Sequence, residues 1–245
     1  MIASVEKARR VWEWLRVGSC AIRDEDALRA FEEDPDRTWL VSFPRTGSHM
    51  LRLVAELYFD RPLLPRTFYH PLAEDYPLRH THDRELTVRP GRVIYLYREP
   101  VATVFSELRY RHGASWPDAR LGEVAAEYGR RLARWLLRGD VTRDRMCLTY
   151  GEIVRGPVEA VGKLCRHFGR PLDEERARRV WEKVTREEVR RKTRHDERVV
   201  GEKGEEYRRA RADFREERAG DVRAAILEVD AGLATVLDRL AADGG

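Results

Sequence analysis

Residues 39–51 read Trp-Leu-Val-Ser-Phe-Pro-Arg-Thr-Gly-Ser-His-Met-Leu, the pattern of a strand, a tight turn and the start of a helix. The first five residues are mostly apolar and β-favouring, and Pro44 ends the strand because it has no backbone N–H for a ladder. Gly47 permits a sharp bend, and Ser48 is a helix-capping residue type. Apolar residues then recur at helical spacing, which predicts a helix over residues 48–59.

The turn of this strand–loop–helix unit is suited to an anion. The first N–H groups of a helix have no partner within it, and the helix dipole adds partial positive charge at the same place. Arg45 contributes a fixed charge in the turn. A nucleotide-hydrolysing P-loop ends in Gly-Lys-Ser/Thr, for phosphate and magnesium, and that tripeptide does not occur here. The turn predicts an anion site; the alternative is a plain strand-to-helix turn with an exposed arginine.

Composition limits the class of protein. The 245 residues, 42% of them hydrophobic, fit one sizeable domain with a real core. No apolar run approaches the ~20 residues of a transmembrane helix, and no signal-peptide pattern follows Met1. The 3 widely spaced cysteines indicate a reducing compartment, so we expect a cytoplasmic protein without a membrane partner. The 47 basic and 43 acidic residues are interleaved, which argues against a nucleic-acid partner but suits a small polyanion.

Strand and helix patterns alternate along the chain. This alternation predicts a three-layer α/β/α fold, in which helices cover both faces of a central, mostly parallel sheet. No repeat or linker is visible, so residues 1–245 are interpreted as one domain with a helical extension over 1–37. The expected strands cover residues 39–43, 93–97 and 146–150, and the expected helices follow Pro100 and cover residues 48–59, 121–138, 157–168, 174–184 and 221–241.

Two further segments stand out from this alternation. Residues 61–90 are rich in proline and longer than most loops of compact domains, which is typical of a functional segment. Residues 186–219 are dense in charge with few apolar anchors. This second segment is interpreted as either a mobile lid or a solvated helix.

A second anion site is predicted after the strand at 93–97. Arg98 follows that strand directly, and ligands of open α/β sheets bind beyond the carboxyl ends of strands. Ser106 lies eight positions further on, where its hydroxyl adds a donor to the planar guanidinium. A magnesium-dependent NTPase would favour an acidic residue at such a strand end. The alternative is a surface arginine and an unrelated serine on a helix face.

The loop sequence Arg79-His-Thr-His-Asp83 contains the candidate acid–base group. Histidine has a pKa suited to taking a proton from a hydroxyl. His80 and His82 are also spaced like a pair of metal ligands, but no other ligand of suitable spacing lies nearby in the sequence. An exposed loop histidine without a special role is the remaining alternative.

Taken together, these motifs resemble those of the sulfotransferases that use 3′-phosphoadenylyl sulfate (PAPS). Ser42-Phe-Pro-Arg-Thr-Gly-Ser-His-Met-Leu51 is similar to the P-loop-like 5′-phosphosulfate loop of that family. The run Val93-Ile-Tyr-Leu-Tyr-Arg-Glu-Pro-Val-Ala-Thr-Val-Phe-Ser106 resembles its 3′-phosphate motif, and Leu148-Thr-Tyr-Gly-Glu-Ile153 resembles its Tyr-Glu-Asp-Leu strand end. The order and separations also agree, and the likeness covers roughly residues 38–240.

The resemblance implies roles for particular residues. Near the C-terminus the family has Arg-Lys-Gly-x-x-Gly-Asp-Trp; here Arg215-Glu-Glu-Arg-Ala-Gly-Asp-Val222 has glutamates in place of the lysine and first glycine. Arg215 is therefore a candidate for the 3′-phosphate clamp, and Lys203 and Arg208 are the alternatives. The other implied residues are Arg45, Thr46, Gly47, Ser48 and His49 for the 5′-phosphosulfate, Arg98 and Ser106 for the 3′-phosphate, and Tyr150 and Thr185 for the adenine.

The resemblance also implies the reaction. His82 aligns with the family's catalytic histidine, with Arg45 and Ser48 assisting at the sulfuryl group, and no metal is expected. The implied reaction is that of a bacterial-type PAPS sulfotransferase, which transfers the sulfuryl group to a hydroxyl of a small molecule and releases adenosine 3′,5′-bisphosphate (PAP). Phe68, Tyr69, His70 and Tyr76 of the proline-rich segment suggest a planar or lipophilic acceptor. A small-molecule kinase or NTPase and a non-catalytic nucleotide- or RNA-binding module are the alternatives, and the oligomeric state is left open.

Overall fold

A four-stranded parallel sheet forms the centre of the computed structural model, which describes residues 2–194 and 204–243. The strands lie in the order β4-β2-β5-β6, so the two strands that precede the predicted anion turns are neighbours. Cys20–Ala21 (β1) and Arg66–Thr67 (β3) form a separate antiparallel pair. The sheet strands are β2 Thr38–Ser42, β4 Leu78–Thr81, β5 Arg92–Tyr97 and β6 Asp144–Thr149.

Helices cover both faces of this sheet, which confirms the predicted three-layer fold. Side chains alternate across β5: Val93 and Tyr95 pack with residues of the helices at 100–112, 118–132 and 205–229, whereas Ile94 and Leu96 pack with residues of those at 48–59 and 157–167. The helices are α1 Ile2–Val17, α2 Glu25–Glu33, α3 Ser48–Phe59, α4 Pro100–His112, α5 Asp118–Leu132, α6 Tyr150–Arg155, α7 Pro157–His167, α8 Glu174–Lys183, α9 Arg186–Thr193, α10 Glu205–Val229 and α11 Ala234–Asp243. None of the described helices has both the length and the apolar composition needed to cross a membrane.

The proline-rich segment 61–90 is not irregular throughout, because it contains β4, which pairs in parallel with β2. The expectation of a continuous loop was wrong for a physical reason. β4 reads Leu-Arg-His-Thr, and a single apolar residue in four gives no strand periodicity. Its place at one end of the sheet order explains why polar side chains are tolerated there.

The remaining differences concern helix boundaries. Residues 2–33 form two helices with β1 between them, and the helix expected over 221–241 is divided into α10 and α11. Asp230 ends α10, and its carboxylate accepts a hydrogen bond from the N–H of Gly232 at 2.9 Å. The charge-dense segment is helical in α9 and from Glu205 onward, whereas its residues 195–203 lie outside the described part of the chain.

Candidate active site

The turn between β2 and α3 adopts a conformation that depends on Gly47. This residue has φ +95° and ψ 17°, and a Cβ added to it would lie 2.4 Å from Cδ2 of Tyr150. Gly47 is the N-cap of α3 and has no side chain to occupy the first N–H groups, whereas Ser48 is the first helical residue rather than the cap. Thr46 is buried and its hydroxyl donates to the carbonyl of Phe43 at 2.7 Å. The turn therefore leaves backbone donors at the start of a helix beside an arginine.

The turn after β5 lies directly against the turn after β2. Nη1 of Arg98 donates to the carbonyl of Arg45 at 3.3 Å, and Nε of Arg45 donates to Oγ of Ser106 at 3.1 Å. Burial lowers the pKa of the Arg98 guanidinium, whose cation lies 4.4 Å from the ring centroid of Tyr150. The two predicted anion turns, on neighbouring strands, thus form one continuous cationic surface.

Tyr150 connects these two turns. It is the first residue of α6, a helix that was not expected, since a strand was predicted to run to residue 150. Thr149 and Glu152 form a reciprocal capping box at its start, with hydrogen bonds of 3.0 and 2.7 Å. The box orients the Tyr150 ring against both Gly47 and Arg98.

A cavity of about 660 Å³ opens in front of these turns and is strongly cationic. Glu107 contributes the only carboxylate among the described lining residues, and it is paired with Arg111 at 2.6 Å. Residues of both unusual segments reach this cavity, including Pro65 and Thr81 from the first and Val189 from the second. The ionisable and aromatic lining residues are Arg45, His49, Arg52, His80, His82, Arg84, Arg98, Tyr110, Tyr150, Arg186, Arg190 and Arg211.

His82 lies at the end of β4 with its tautomer defined by the backbone. Its Nδ1 is 2.8 Å from the carbonyl oxygen of Ser42, which only accepts, so Nδ1 carries the hydrogen and Nε2 carries the lone pair. Burial lowers the pKa of His82 to about 4, Arg84 and Arg52 add to the shift, and the hydrogen bond to Ser42 opposes it. His82 is therefore neutral near pH 7 and has a basic nitrogen at the cavity.

The residues near His82 in the sequence have hydrogen-bond and ion-pair partners of their own. Nε2 of His80 is 2.9 Å from Oγ of Ser42, and burial lowers the pKa of His80 well below its usual value. Asp83 forms an ion pair with Arg134 at 3.3 Å, and Arg79 forms one with Glu32 at 2.6 Å. The Ser42 carbonyl, rather than Asp83, is therefore the group that orients His82, and Arg79 is directed away toward α2.

Thr185 and Arg215, two residues predicted from the C-terminal half of the chain, do not line the cavity. The hydroxyl of Thr185 caps α9 by accepting from the N–H of Glu188 at 3.1 Å, while the next residue, Arg186, lines the cavity. Arg215 donates to Glu99 at 3.0 Å, whereas Arg211, one helical turn earlier, lines the cavity.

Of the two alternatives for the clamp, Arg208 does not line the cavity. Arg208 is exposed, and Lys203 lies outside the described residues. Sequence reasoning therefore missed Arg211, although it lies on the same helix face as Arg215, four positions away. It also missed Arg52, Arg84, Arg186 and Arg190.

Within residues 2–194 and 204–243, no group of three or more His, Cys, Asp and Glu side chains is placed to hold a metal ion. The hydroxyl oxygen of Ser42 is within hydrogen-bond distance of a ring nitrogen of both His80 and His82, whose ring centroids are 4.7 Å apart. The cavity is thus a site of arginines, neutral imidazoles and backbone donors.

Comparison with solved structures identifies the fold. The sequence matches no protein-family model and no curated protein. The structure is similar to mouse sulfotransferase SULT7A1 complexed with PAP, with a TM-score of 0.53, 15% identity, and coverage of 86% of this chain and 95% of that one. It is also similar to retinol dehydratase in complex with androsterone and the inactive cofactor PAP, with a TM-score of 0.53, 15% identity and 84% of each chain covered. The chain therefore has the fold of these PAP-binding proteins.

Proposed function

We propose that the protein is a PAPS-dependent sulfotransferase, which transfers a sulfuryl group to a hydroxyl of a small molecule. One observation carries the proposal. The turns after β2 and β5 meet through hydrogen bonds of 3.1 and 3.3 Å around a single cationic cavity, and a neutral histidine lies at the same cavity. Two adjoining anion sites suit a nucleotide with phosphates at both ends of its ribose better than one linear triphosphate.

The residues present fit such a nucleotide. Arg98 is a partly buried cation that forms no ion pair with a carboxylate of the described residues, so a 3′-phosphate would supply its missing counter-charge. Ser106, which is hydrogen-bonded to Arg45, and Arg211, whose charge acts on Arg98, line the same cavity. At the other end, Arg45 and the first N–H groups of α3, from Gly47 to His49, would hold the 5′-phosphosulfate. The ring of Tyr150 would pack against the adenine.

The protein's own groups then perform the proton transfer and the charge stabilisation. PAPS, when bound, supplies an activated sulfuryl group. His82 takes the proton of the acceptor hydroxyl at Nε2, and the Ser42 carbonyl holds the imidazole in the required tautomer. Arg45 and the N–H groups at the start of α3 place fixed positive charge where negative charge develops, so little reorganisation is needed during the reaction.

Thermal unfolding with different nucleotides tests this proposal. We expect PAP to stabilise the protein without magnesium, by about 2.7 kcal/mol at 100 times its Kd. Stabilisation by ATP with magnesium, but not by PAP, would instead support a kinase or NTPase. Selective binding of RNA would support the non-catalytic module.

A variant of Arg98 tests whether this arginine binds the 3′-phosphate end of the nucleotide. Arg98→Ala should weaken PAP by about 10- to 100-fold, because a charged hydrogen bond is lost, and should weaken AMP much less. Arg178→Ala is the matched control, since Arg178 is exposed on α8 and its ion pair among the described residues is with Glu174, across one helical turn. Equal losses for PAP and AMP would place Arg98 away from the 3′-phosphate.

A further inference from the structure

The side of the cavity around His82 contains more positive charge than the two nucleotide ends require. Arg45, Arg98 and Arg211 are assigned above to the nucleotide. Arg52 and Arg84 also line the cavity, and both act electrostatically on His82, where they lower its pKa. These two arginines, together with His82, are called here the acceptor side of the cavity. A sulfuryl acceptor must place its hydroxyl beside His82, so it must also lie beside these cations.

Arg52 is a buried cation with unused hydrogen-bonding capacity. It lies on α3, one turn after Ser48, and is only 5% exposed. Its Nη2 donates to the carbonyl of Arg66 at 2.8 Å, and its Cζ lies 4.8 Å from the ring centroid of Phe68. Its Nε is buried and has no hydrogen-bond partner. These contacts hold the guanidinium at the cavity, where a buried cation is costly unless an opposite charge balances it.

The nearest carboxylate does not neutralise this guanidinium through a direct ion pair. Glu56, one turn further along α3, accepts from the backbone N–H groups of Phe68, Tyr69 and His70 at distances of 2.8, 2.7 and 3.1 Å. It also accepts from the hydroxyl of Thr67. Its oxygens are therefore engaged in holding the segment after β3, and among the described residues Arg52 has no carboxylate within ion-pair distance.

The aromatic residues expected to select a lipophilic acceptor do not line the cavity. Phe68 is fully buried in a hydrophobic cluster with Leu53 and Val54, and the hydroxyl of Tyr69 donates to Glu188 at 2.8 Å. Tyr76 is buried in a different cluster, near the first helices. The apolar side chains that line the cavity are those of Pro44, Met50, Pro65 and Val189. None of the four residues Phe68, Tyr69, His70 and Tyr76 lines the cavity, and the planar or lipophilic acceptor that they suggested stays a prediction.

We propose that the acceptor is an anion: a small molecule that carries a carboxylate or similar acidic group beside its hydroxyl, bound by Arg52 and Arg84. The inference rests on the proposed function and specifies the substrate class of that site. Arg52 provides the buried donor, and Arg84, which is exposed, provides the second charge at the cavity rim. A neutral acceptor would leave the charges of Arg52 and Arg84 unbalanced at the cavity, whereas an acidic group balances them.

Three para-substituted phenols of different charge test the inference. 4-Hydroxyphenylacetate is an anion, 4-methylphenol is neutral and tyramine is a cation at pH 7. Their Kd values are measured by calorimetry on the complex with PAP, and their kcat/KM values are measured with PAPS. We expect the anion to bind at least tenfold more tightly than 4-methylphenol, and tyramine to bind most weakly. Equal binding of the three, or tighter binding of the neutral phenol, would overturn the inference.

Variants show whether the two arginines cause the preference. Arg52→Gln and Arg84→Gln should each reduce the preference for the anion at least threefold, and Arg178→Gln on α8 should leave it unchanged. Arg84 is exposed, so Arg84→Glu provides a test that does not depend on whether the fold tolerates a change at buried Arg52. Compared with the unmodified protein, this variant should bind tyramine more tightly and the anion more weakly. A uniform loss of kcat for all three phenols, with their order preserved, would contradict the inference and assign the arginines to the sulfuryl group.

The same measurements separate the two proposals. Binding of PAP together with equal affinity for the three phenols would leave the sulfotransferase proposal intact and reject the anionic acceptor. Failure to bind PAP would reject both.

Discussion

Replacing Gly47 by alanine would test the central geometry of the site, because this glycine is in contact with the ring proposed to hold the adenine. The added Cβ would lie 2.4 Å from Cδ2 and 2.8 Å from Cε2 of Tyr150, whereas ordinary contact begins near 3.4 Å. The ring would have to move by about 1 Å, against its cation–π contact with Arg98. The backbone would also retain φ +95°, which costs a residue with a Cβ about 1–2 kcal/mol.

The sum of these effects sets the expected magnitude. Overpacking of this kind costs about 1–3 kcal/mol, so Gly47→Ala should lower the free energy of unfolding by about 2–5 kcal/mol in total. Gly169 provides the matched control, since it has φ +62° and open space around its missing Cβ. Gly169→Ala should cost only the backbone contribution, about 1–2 kcal/mol.

Urea unfolding of both variants, with PAP titration of each, measures the difference. Gly47→Ala should also weaken PAP, whereas Gly169→Ala should bind it normally. In a Tyr150→Ala background the cost of Gly47→Ala should fall to that of the control, which makes the contact measurable as a coupling free energy. Equal costs for the two glycines, or a cost that persists without the Tyr150 ring, would refute this account of the turn.

Three further predictions concern His82 and Glu56. His82→Asn should lower turnover about 10²- to 10⁴-fold while PAP still binds, as measured by steady-state kinetics and calorimetry, and unchanged turnover would exclude His82 as the base. His82 also predicts a pH dependence of stability: its folded pKa of about 4 lies below the usual 6.5, so between these values the unfolded chain binds more protons than the folded protein. Stability should therefore fall by about 3 kcal/mol as the pH decreases through this window, and urea unfolding of His82→Asn should show a correspondingly smaller loss. Glu56→Ala should destabilise the protein by about 2–4 kcal/mol, because several backbone donors lose their acceptor, whereas Glu182→Ala on the exposed face of α8 should change the melting temperature little.

Local sequence patterns predicted the architecture well where each element carries its own signal. The apolar runs before Pro44 and Arg98, and the helical periods that follow them, predicted β2, α3, β5 and the start of α4 within one or two residues, and the three-layer fold follows from their alternation. β4 was missed because its single apolar residue gives no period, whereas α6 was missed although Thr149 and Glu152 have the spacing of a capping box, a local signal of a helix start. Propensity and period act over a few neighbouring residues, so they are visible without the rest of the chain.

The site depends both on local sequence and on tertiary packing. The sequence determined which turns are suited to anions, since a strand, a glycine-containing turn and a helix start are contiguous in the chain. Only the tertiary structure decided that Arg211 rather than Arg215 lines the cavity, that the Ser42 carbonyl orients His82, and that Arg52 is buried with an unpaired donor. These outcomes depend on side chains brought together from distant segments by packing, and neither residue type nor spacing specifies which face of a helix or strand meets the cavity.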